Sequence, residues 1–342
     1  MSSLLPLILL FQSTSRSKPV PIVVSAIASL LLSVAVIIPA TVCAGNEVNV
    51  TEPSWQFDIK QKTLLNSHTS YEFGNPDPPY QQPISRLEFP VNSVWAGFEI
   101  KKRLSRFSGG IEFMTTVVDQ ETGRFKDTDW ADNGMPGRLT NYGETDSRLN
   151  PSFQVGADID MQVADLLRLP EHFDFRPVLG FNWQQLSLLS HDGVQLNYDT
   201  PGTPPTLQPL PGSVISFEQN WYRYFLGLRF GYQWTTLPYL HHLKLQTQAD
   251  WSYVQGNNLD RHLLRGDRIT FEDTTGDAWH GSLGVLIGLS QNVELGLAAD
   301  YLYIQTTGTH TWREPGVDQS WSYGVKSWSE QFGLQVKLGY LF

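Results

Sequence analysis

Tyr222-Arg223-Tyr224-Phe225-Leu226-Gly227-Leu228-Arg229-Phe230-Gly231-Tyr232-Gln233-Trp234 is the stretch that decides the fold. Tyr222, Tyr224, Leu226, Leu228, Phe230, Tyr232 and Trp234 share one parity, and Arg223, Gly227, Arg229, Gly231 and Gln233 share the other. Period two is the repeat of a β-strand, whose successive side chains point to opposite faces. One face is apolar and tipped by aromatics; the other carries charge. Such a strand suits a wall between lipid and a polar interior.

The pattern recurs along the chain. Phe173, Phe175, Pro177, Leu179, Phe181 and Trp183 oppose Asp174, Arg176, Gly180, Asn182 and Gln184. Val293, Leu295, Leu297, Ala299, Tyr301 and Tyr303 oppose Glu294, Gly296, Ala298 and Asp300. A soluble β-sandwich is the rival, but its outer face would be solvated rather than aromatic, and these polar faces pair opposed charges. The last residues, Phe332, Leu334, Val336, Leu338, Tyr340 and Phe342, alternate up to a terminal aromatic, as the final strand of outer-membrane barrels does. Ten strands are expected, near 57–72, 87–103, 107–122, 150–167, 173–189, 213–234, 243–257, 268–289, 293–311 and 323–342. The fold class is therefore all-β, a ten-stranded antiparallel transmembrane β-barrel. Short connections near 103–106, 167–172, 235–242 and 290–292 would be periplasmic, and long ones near 74–83, 126–149, 191–212, 258–267 and 310–322 extracellular. Several strands approach twice the ~10 residues needed to cross the membrane, so the barrel should project above the lipid.

Composition agrees. The 342 residues carry 24 Lys+Arg against 34 Asp+Glu, a formal net charge of −10, which argues against a nucleic-acid partner. With 11 Trp, 13 Tyr and 18 Phe the chain is aromatic, yet a mean hydropathy of −0.24 is too polar for a bundle of membrane helices. Residues 1–44 read as a signal peptide: Arg16 and Lys18 precede an apolar run from Ile22 to Ile38, and Val42-Cys43-Ala44 offers a cleavage site. The barrel would then occupy residues 45–342. Cys43 is the single cysteine and would leave with the signal, removing thiol and disulfide chemistry. His-Glu-x-x-His, a Gly-rich phosphate loop and Gly-x-Ser-x-Gly do not occur, and His241-His242 reads as a polar turn rather than a metal site. Arg176, Arg223 and Arg229, with Asp174, Glu294 and Asp300 opposite them, should form a lumenal charge network, since so narrow a barrel is filled by side chains.

Chemistry enters where a strand runs into a long loop. Leu245, Thr247, Ala249, Trp251 and Tyr253 alternate with Gln246, Gln248, Asp250 and Ser252, and the even face continues to Asn258, Asp260 and His262. A carboxylate beside an imidazole fixes the ring and stabilises its charged form, as a water-activating base requires. The pair alone is weak evidence. Asp127 and Asp129, taken by themselves, read as a solvated acidic loop or a cation site.

Together, two stretches resemble the omptins, outer-membrane aspartyl endopeptidases of Gram-negative bacteria. Asp127-Thr128-Asp129-Trp130-Ala131-Asp132, followed by Met135-Pro136-Gly137, resembles the family's Asp-x-Asp-Trp segment. Asp260-x-His262, followed by Gly266-x-Arg268-Ile269-Thr270, resembles its Asp-x-His loop. The resemblance implies an aspartic-type endopeptidase that takes peptide or protein substrates at the extracellular mouth and needs no cofactor or metal. Asp260 and His262 would activate water, and Asp127 and Asp129 would face them as the remaining catalytic residues. Two neighbouring carboxyls raise one another's proton affinity, so one can serve as an acid. The alternative is a catalytically silent barrel of the same superfamily, acting as an adhesin or structural surface protein; a small porin is a third reading.

Three departures matter. The family's basic-residue pocket uses two acids; one position holds Asn258, and the other falls at Ser70 or Glu72, so selection for Lys or Arg should be weaker. The family's lipopolysaccharide-binding basic residues are missing, with Gln185, Asn220 and Gly276 near those positions, leaving outer-membrane lipid as the expected surroundings and lipopolysaccharide as a possible partner. Finally, Ile111, Phe113, Thr115 and Val117 set the lipid face of the third strand as odd, which would aim Asp127 and Asp129 outward. A one-residue bulge at Thr122-Gly123-Arg124 is needed to turn them in.

Overall fold

The computed structural model describes residues 55–74, 81–235, 237, 240–266 and 268–342; the expected signal segment 1–44 lies outside them. Thirteen strand segments follow one another without a helix among the described residues. They are β1 (Trp55–Phe73), β2 (Ser85–Pro90), β3 (Ser93–Leu104), β4 (Phe107–Thr116), β5 (Gln120–Asp129), β6 (Asn141–Leu149), β7 (Phe153–Met161), β8 (Phe173–Asn197), β9 (Thr206–Trp234), β10 (His242–His262), β11 (Arg268–Gly288), β12 (Val293–Glu314) and β13 (Val317–Leu341).

Every pairing is antiparallel, and β13 returns to β1, so the sheet closes. β2 and β3 are two parts of one barrel strand, as are β4 and β5, and β6 and β7. The lower ring runs through β3, β4 and β7 and the upper ring through β2, β5 and β6, and either ring holds ten strands. The three breaks, with an irregularity in β1 at Leu65/His68, fall in neighbouring strands. Side chains satisfy the backbone there: Asn92 accepts from the Ser67 amide and donates to the Thr122 carbonyl, and Gln120 caps both polar groups of Val94. A break costs few hydrogen bonds when amides of this kind replace the ladder.

Outside, apolar side chains form a band at the lower end. Ile111 is 63% exposed and Leu226 62%, and the band ends upward in Tyr224, Tyr253 and Trp279. Above it the outward residues of β10 are Gln255, Asn257, Leu259 and Arg261. The strands continue well past the aromatic level, so the upper barrel lies beyond the lipid. Phe342 pairs with Trp55 at the lower end, opposite the turn between β5 and β6.

Inside, the layers alternate. The lower lumen holds ion pairs: Arg229 with Asp158, Arg176 with Asp174 and Asp160, Lys62 with Asp300, and His242 with Glu294. A lumenal charge network is present as expected, but its pairing differs. Among the described residues, Asp174 alone of the expected acids pairs with an arginine, Arg229 and Arg176 reach Asp158 and Asp160 of β7, and Arg223 lies nearest Asp250 at 3.8 Å. Trp221, Val254, Ala278, Leu302 and Ile304 form an apolar floor above it. Gly256 makes room for that indole, since a Cβ there would lie 2.4 Å from the ring. Higher still, Phe89, Phe217 and Tyr71 stack across the lumen, with centroids 4.4 and 5.6 Å apart. Phe217→Ala empties the middle of this stack and is expected to cost about 3–5 kcal/mol. Urea unfolding of the refolded barrel measures it; a shift below ~1 kcal/mol would mean that the stack does not hold the upper barrel together.

The element boundaries differ from the sequence reading at the three breaks and above the lipid. The expected long loops at 126–149 and 191–212 are largely strand and 258–262 belongs to β10, leaving turns at 130–140, 198–205 and 263–266. Above the lipid both faces of a strand meet water or polar neighbours, so the hydrophobic period disappears while the ladder persists.

Candidate active site

The upper end of β10 holds the even face inward, burying Asn258, Asp260 and His262. The His262 Nε2 lies 3.3 Å from the Asp260 Oδ2. The same carboxylate oxygen accepts a hydrogen bond from the Tyr71 hydroxyl of β1. Burial alone would raise the Asp260 carboxyl; His262 beside it and the bonds from His262 and Tyr71 outweigh burial and hold it below the usual carboxylate range.

The opposite wall depends on one irregularity. β4 turns even residues inward, as buried Met114 and Thr116 show. Between β5 and β6 the register slips from Glu121 to Gly123, with Gly123 at φ +133°, a conformation open to glycine and strained for other residues. Thr122 remains buried, then Phe125 is buried too, so the inward parity becomes odd. Asp127 thereby turns into the mouth, as the parity argument requires. Asp129 shares its face one row higher, where the Asn141 amide donates to it at 3.3 Å.

Asp127 and His262 line one cavity of about 40 Å³ with Phe125, Thr145, Leu264 and Arg265. That space holds a water molecule, which requires at least ~10–15 Å³, and does not hold a peptide. Asp129 is not among its lining residues. The Asp127 Oδ1 and the Asp260 Oδ1 are both buried and without a protein partner. Burial and the neighbouring Asp129 push the Asp127 carboxyl well above its usual range, although Arg265 and Arg268 pull the other way. Such a carboxyl keeps its proton at pH values where an exposed one is ionised.

A stability test follows from the sign. Below the unfolded value of ~3.9 both states are protonated. As pH rises from there through the raised folded value, the folded chain holds a proton the unfolded chain has released, so stability falls. Asp127→Asn cannot ionise, and its stability relative to the parent is expected to improve over that window and then level off. Unfolding midpoints against pH check this; a difference independent of pH would contradict the raised carboxyl.

The two pocket positions fare differently. Asn258 is tied into an amide network, accepting from Gln219 at 3.1 Å and donating to Ser327 at 3.1 Å. Ser70 and Glu72, the expected seats of the second acid, do not face the site. The irregularity at Leu65/His68 reverses the parity of β1, so Thr69 and Tyr71 point in, bonded to Gln219 and Asp260. Glu72 instead bonds Arg86, whose guanidinium lies beside Trp130 and Trp328. Sequence reading also missed Tyr71 and the buried Glu272–His310 pair, 2.7 Å apart, with His310 stacked on Phe73. The even face of β11 could have nominated Glu272. Nothing in the alternation signalled Tyr71.

The omptin family model matches residues 79–314, more than half of the chain. No curated protein matches the sequence. Among solved structures, the outer membrane protease OmpT from Escherichia coli superposes with a TM-score of 0.74 at 16% identity, covering 86% of this chain and 99% of that one. The translocator domain of the autotransporter NalP from Neisseria meningitidis reaches a TM-score of 0.35 at 8% identity, over 96% of this chain and 100% of that one. The first likeness is one of fold; the second carries no argument.

Proposed function

The chain belongs to the omptin family, an outer-membrane barrel of a Gram-negative bacterium with the form of a protease, and from that premise we propose that it is an endopeptidase of the aspartic type. The observation that carries the reading is the cavity shared by Asp127 and His262 from opposite walls, with Asp260 behind the imidazole. A water there lies within reach of the ring. One ring nitrogen is committed to Asp260, leaving the other for the water proton. The water oxygen attacks the peptide carbonyl carbon, its proton passing to His262. Asp127, kept neutral by burial and by Asp129, donates a hydrogen bond to the carbonyl oxygen as charge develops there. When the C–N bond breaks, His262 returns the proton to the leaving nitrogen. The peptide lies across the mouth, over the cavity rather than in it.

Quenched fluorescent peptides incubated with refolded protein in lipid test this. Hydrolysis that survives chelators and serine- and thiol-directed reagents is expected, since neither metal nor nucleophilic side chain takes part. A second reading, a silent surface barrel, is favoured by the aromatic filling of the upper lumen around Tyr71, Phe89 and Phe217. Absence of hydrolysis across all peptides would select it, and ion conductance in a planar bilayer would instead select a pore.

A further inference from the structure

Building on the endopeptidase reading, we infer that Arg265 and Arg268 select substrates carrying a carboxylate next to the scissile bond, in place of a lysine or arginine. Three observations converge. First, among the described residues, and apart from Asp127 and Asp129 on the catalytic wall, the pocket offers a substrate cation no uncommitted carboxylate. Asn258 is neutral and engaged at both ends of its amide. Glu72 faces away and bonds Arg86. Glu272, directly across from Asn258, is fully buried and committed to His310. Asp260 is shared between Tyr71 and His262.

Second, two guanidiniums flank the site, Arg265 on the cavity and Arg268 beside His262, and among the described residues neither forms an ion pair. Arg265 is exposed on the turn after β10 and lines the cavity beside Asp127 and His262. Arg268 pairs in register with His262, is 8% exposed, and lies with its Cζ 3.5 Å over the Trp312 ring. Its Nε is buried without a hydrogen-bond partner. A buried donor of a charged group left unpaired is costly, and a ligand carboxylate satisfies it through a two-pronged contact. Third, the remaining lining is apolar or neutral, with Leu210, Val214, Ile215 and Leu264 offering nothing to a substrate cation.

The carboxylate can be an internal Asp or Glu side chain or a free C-terminus. Peptides matched in length and differing only beside the central bond, with Asp, Glu, Lys, Arg or Ala and with free or amidated ends, separate these sources. Cleavage and fluorescence-anisotropy binding are read together with the refolded full chain. Acidic over basic selectivity of about tenfold or more is expected, as charged hydrogen bonds of this kind allow. Arg265→Gln, at an exposed position, should lower that ratio, and Arg265→Glu should reverse it. Arg268→Gln should lower it as well. Preference for the free end alone identifies a C-terminal carboxylate as the ligand. Selectivity for Lys or Arg, or acidic preference unchanged in Arg265→Glu, overturns the inference. Selective binding of acidic peptides without cleavage of any would retain it and overturn the endopeptidase reading. Absence of both preferential binding and cleavage overturns both.

Discussion

Asp260→Asn and His262→Ala should each lower peptide hydrolysis by roughly 10²–10⁴-fold, the usual worth of general acid–base catalysis. Combining them should add little, because the two act as one unit. Asp260 holds the imidazole by its Oδ2, and removing either partner removes the same proton acceptor from the water. Asparagine keeps the volume of the aspartate and can still accept from Tyr71, so the single Asp260→Asn variant separates lost chemistry from lost folding. Loss of hydrolysis with an unchanged unfolding midpoint is the expected pattern. Additive losses, or residual activity near that of the parent, would show that the pair is not the base.

Insertion of one alanine between Arg124 and Phe125 is expected to abolish hydrolysis while the lower barrel still forms. The register slip at Glu121/Gly123 accommodates one extra residue, Thr122, and sets the face on which Asp127 lies. A second extra residue turns every later side chain of β5 to the other face. Asp127 and Asp129 would then point to solvent and Lys126 to the lumen. Phe125, buried beside Phe89 with centroids 4.4 Å apart, would be turned out. Part of the effect is therefore a loss of stability in the upper ring. Lys126→Asp in the insertion background places a carboxyl in the vacated inward position and should recover a measurable fraction of the activity. Deletion of Thr122 instead joins Glu121 and Gly123 in an unbroken ladder, keeps Asp127 inward and should leave hydrolysis largely intact. An active insertion variant, or an inactive and well-folded deletion variant, would disprove the parity switch.

The lower barrel was legible in the sequence because lipid imposes strict alternation. Tyr222–Trp234 read as a strand and is the lower half of β9. The top of that strand fell within the expected loop 191–212, and yet Thr206–Leu210 stays in the ladder with β8. Pro209 and Pro211 donate no amide, but an extended hairpin above the membrane tolerates them more readily than a central strand does. Asp127 of β5 and the Asp260–His262 pair of β10 were legible as residues of the mouth, because each motif is short and contiguous. The breaks in β2–β3 and β6–β7 were invisible, since side chains repair them without any change in hydrophobic period, the Asn92 amide at the first and the Thr116 and Ser152 hydroxyls at the second. Tyr71 was missed for a related reason. Its parity depends on the irregularity at Leu65/His68, and nothing in the residues Asn66 and Ser67 announces one. Ser70 and Glu72 came from the resemblance to the family's pocket, and the same irregularity leaves Thr69 and Tyr71 inward in their place.

Substrate-facing charge was harder to foresee than the fold. The absence of an acid at Asn258 pointed only to weaker selection of cations. The placement of Arg265 beside the cavity, and of Arg268 against Trp312, gives the change a direction. Both arginines sit on or after a turn, where no periodicity speaks for orientation.

The most direct test of the site is a mixed peptide library digested by the refolded parent and by Asp260→Asn side by side, with the new termini identified by mass spectrometry. Internal cuts by the parent that vanish in the variant, with both proteins equally folded, are the expected result. A parent that leaves the library intact, or a variant that reproduces the same cuts, would contradict hydrolysis by the Asp127, Asp260 and His262 mouth.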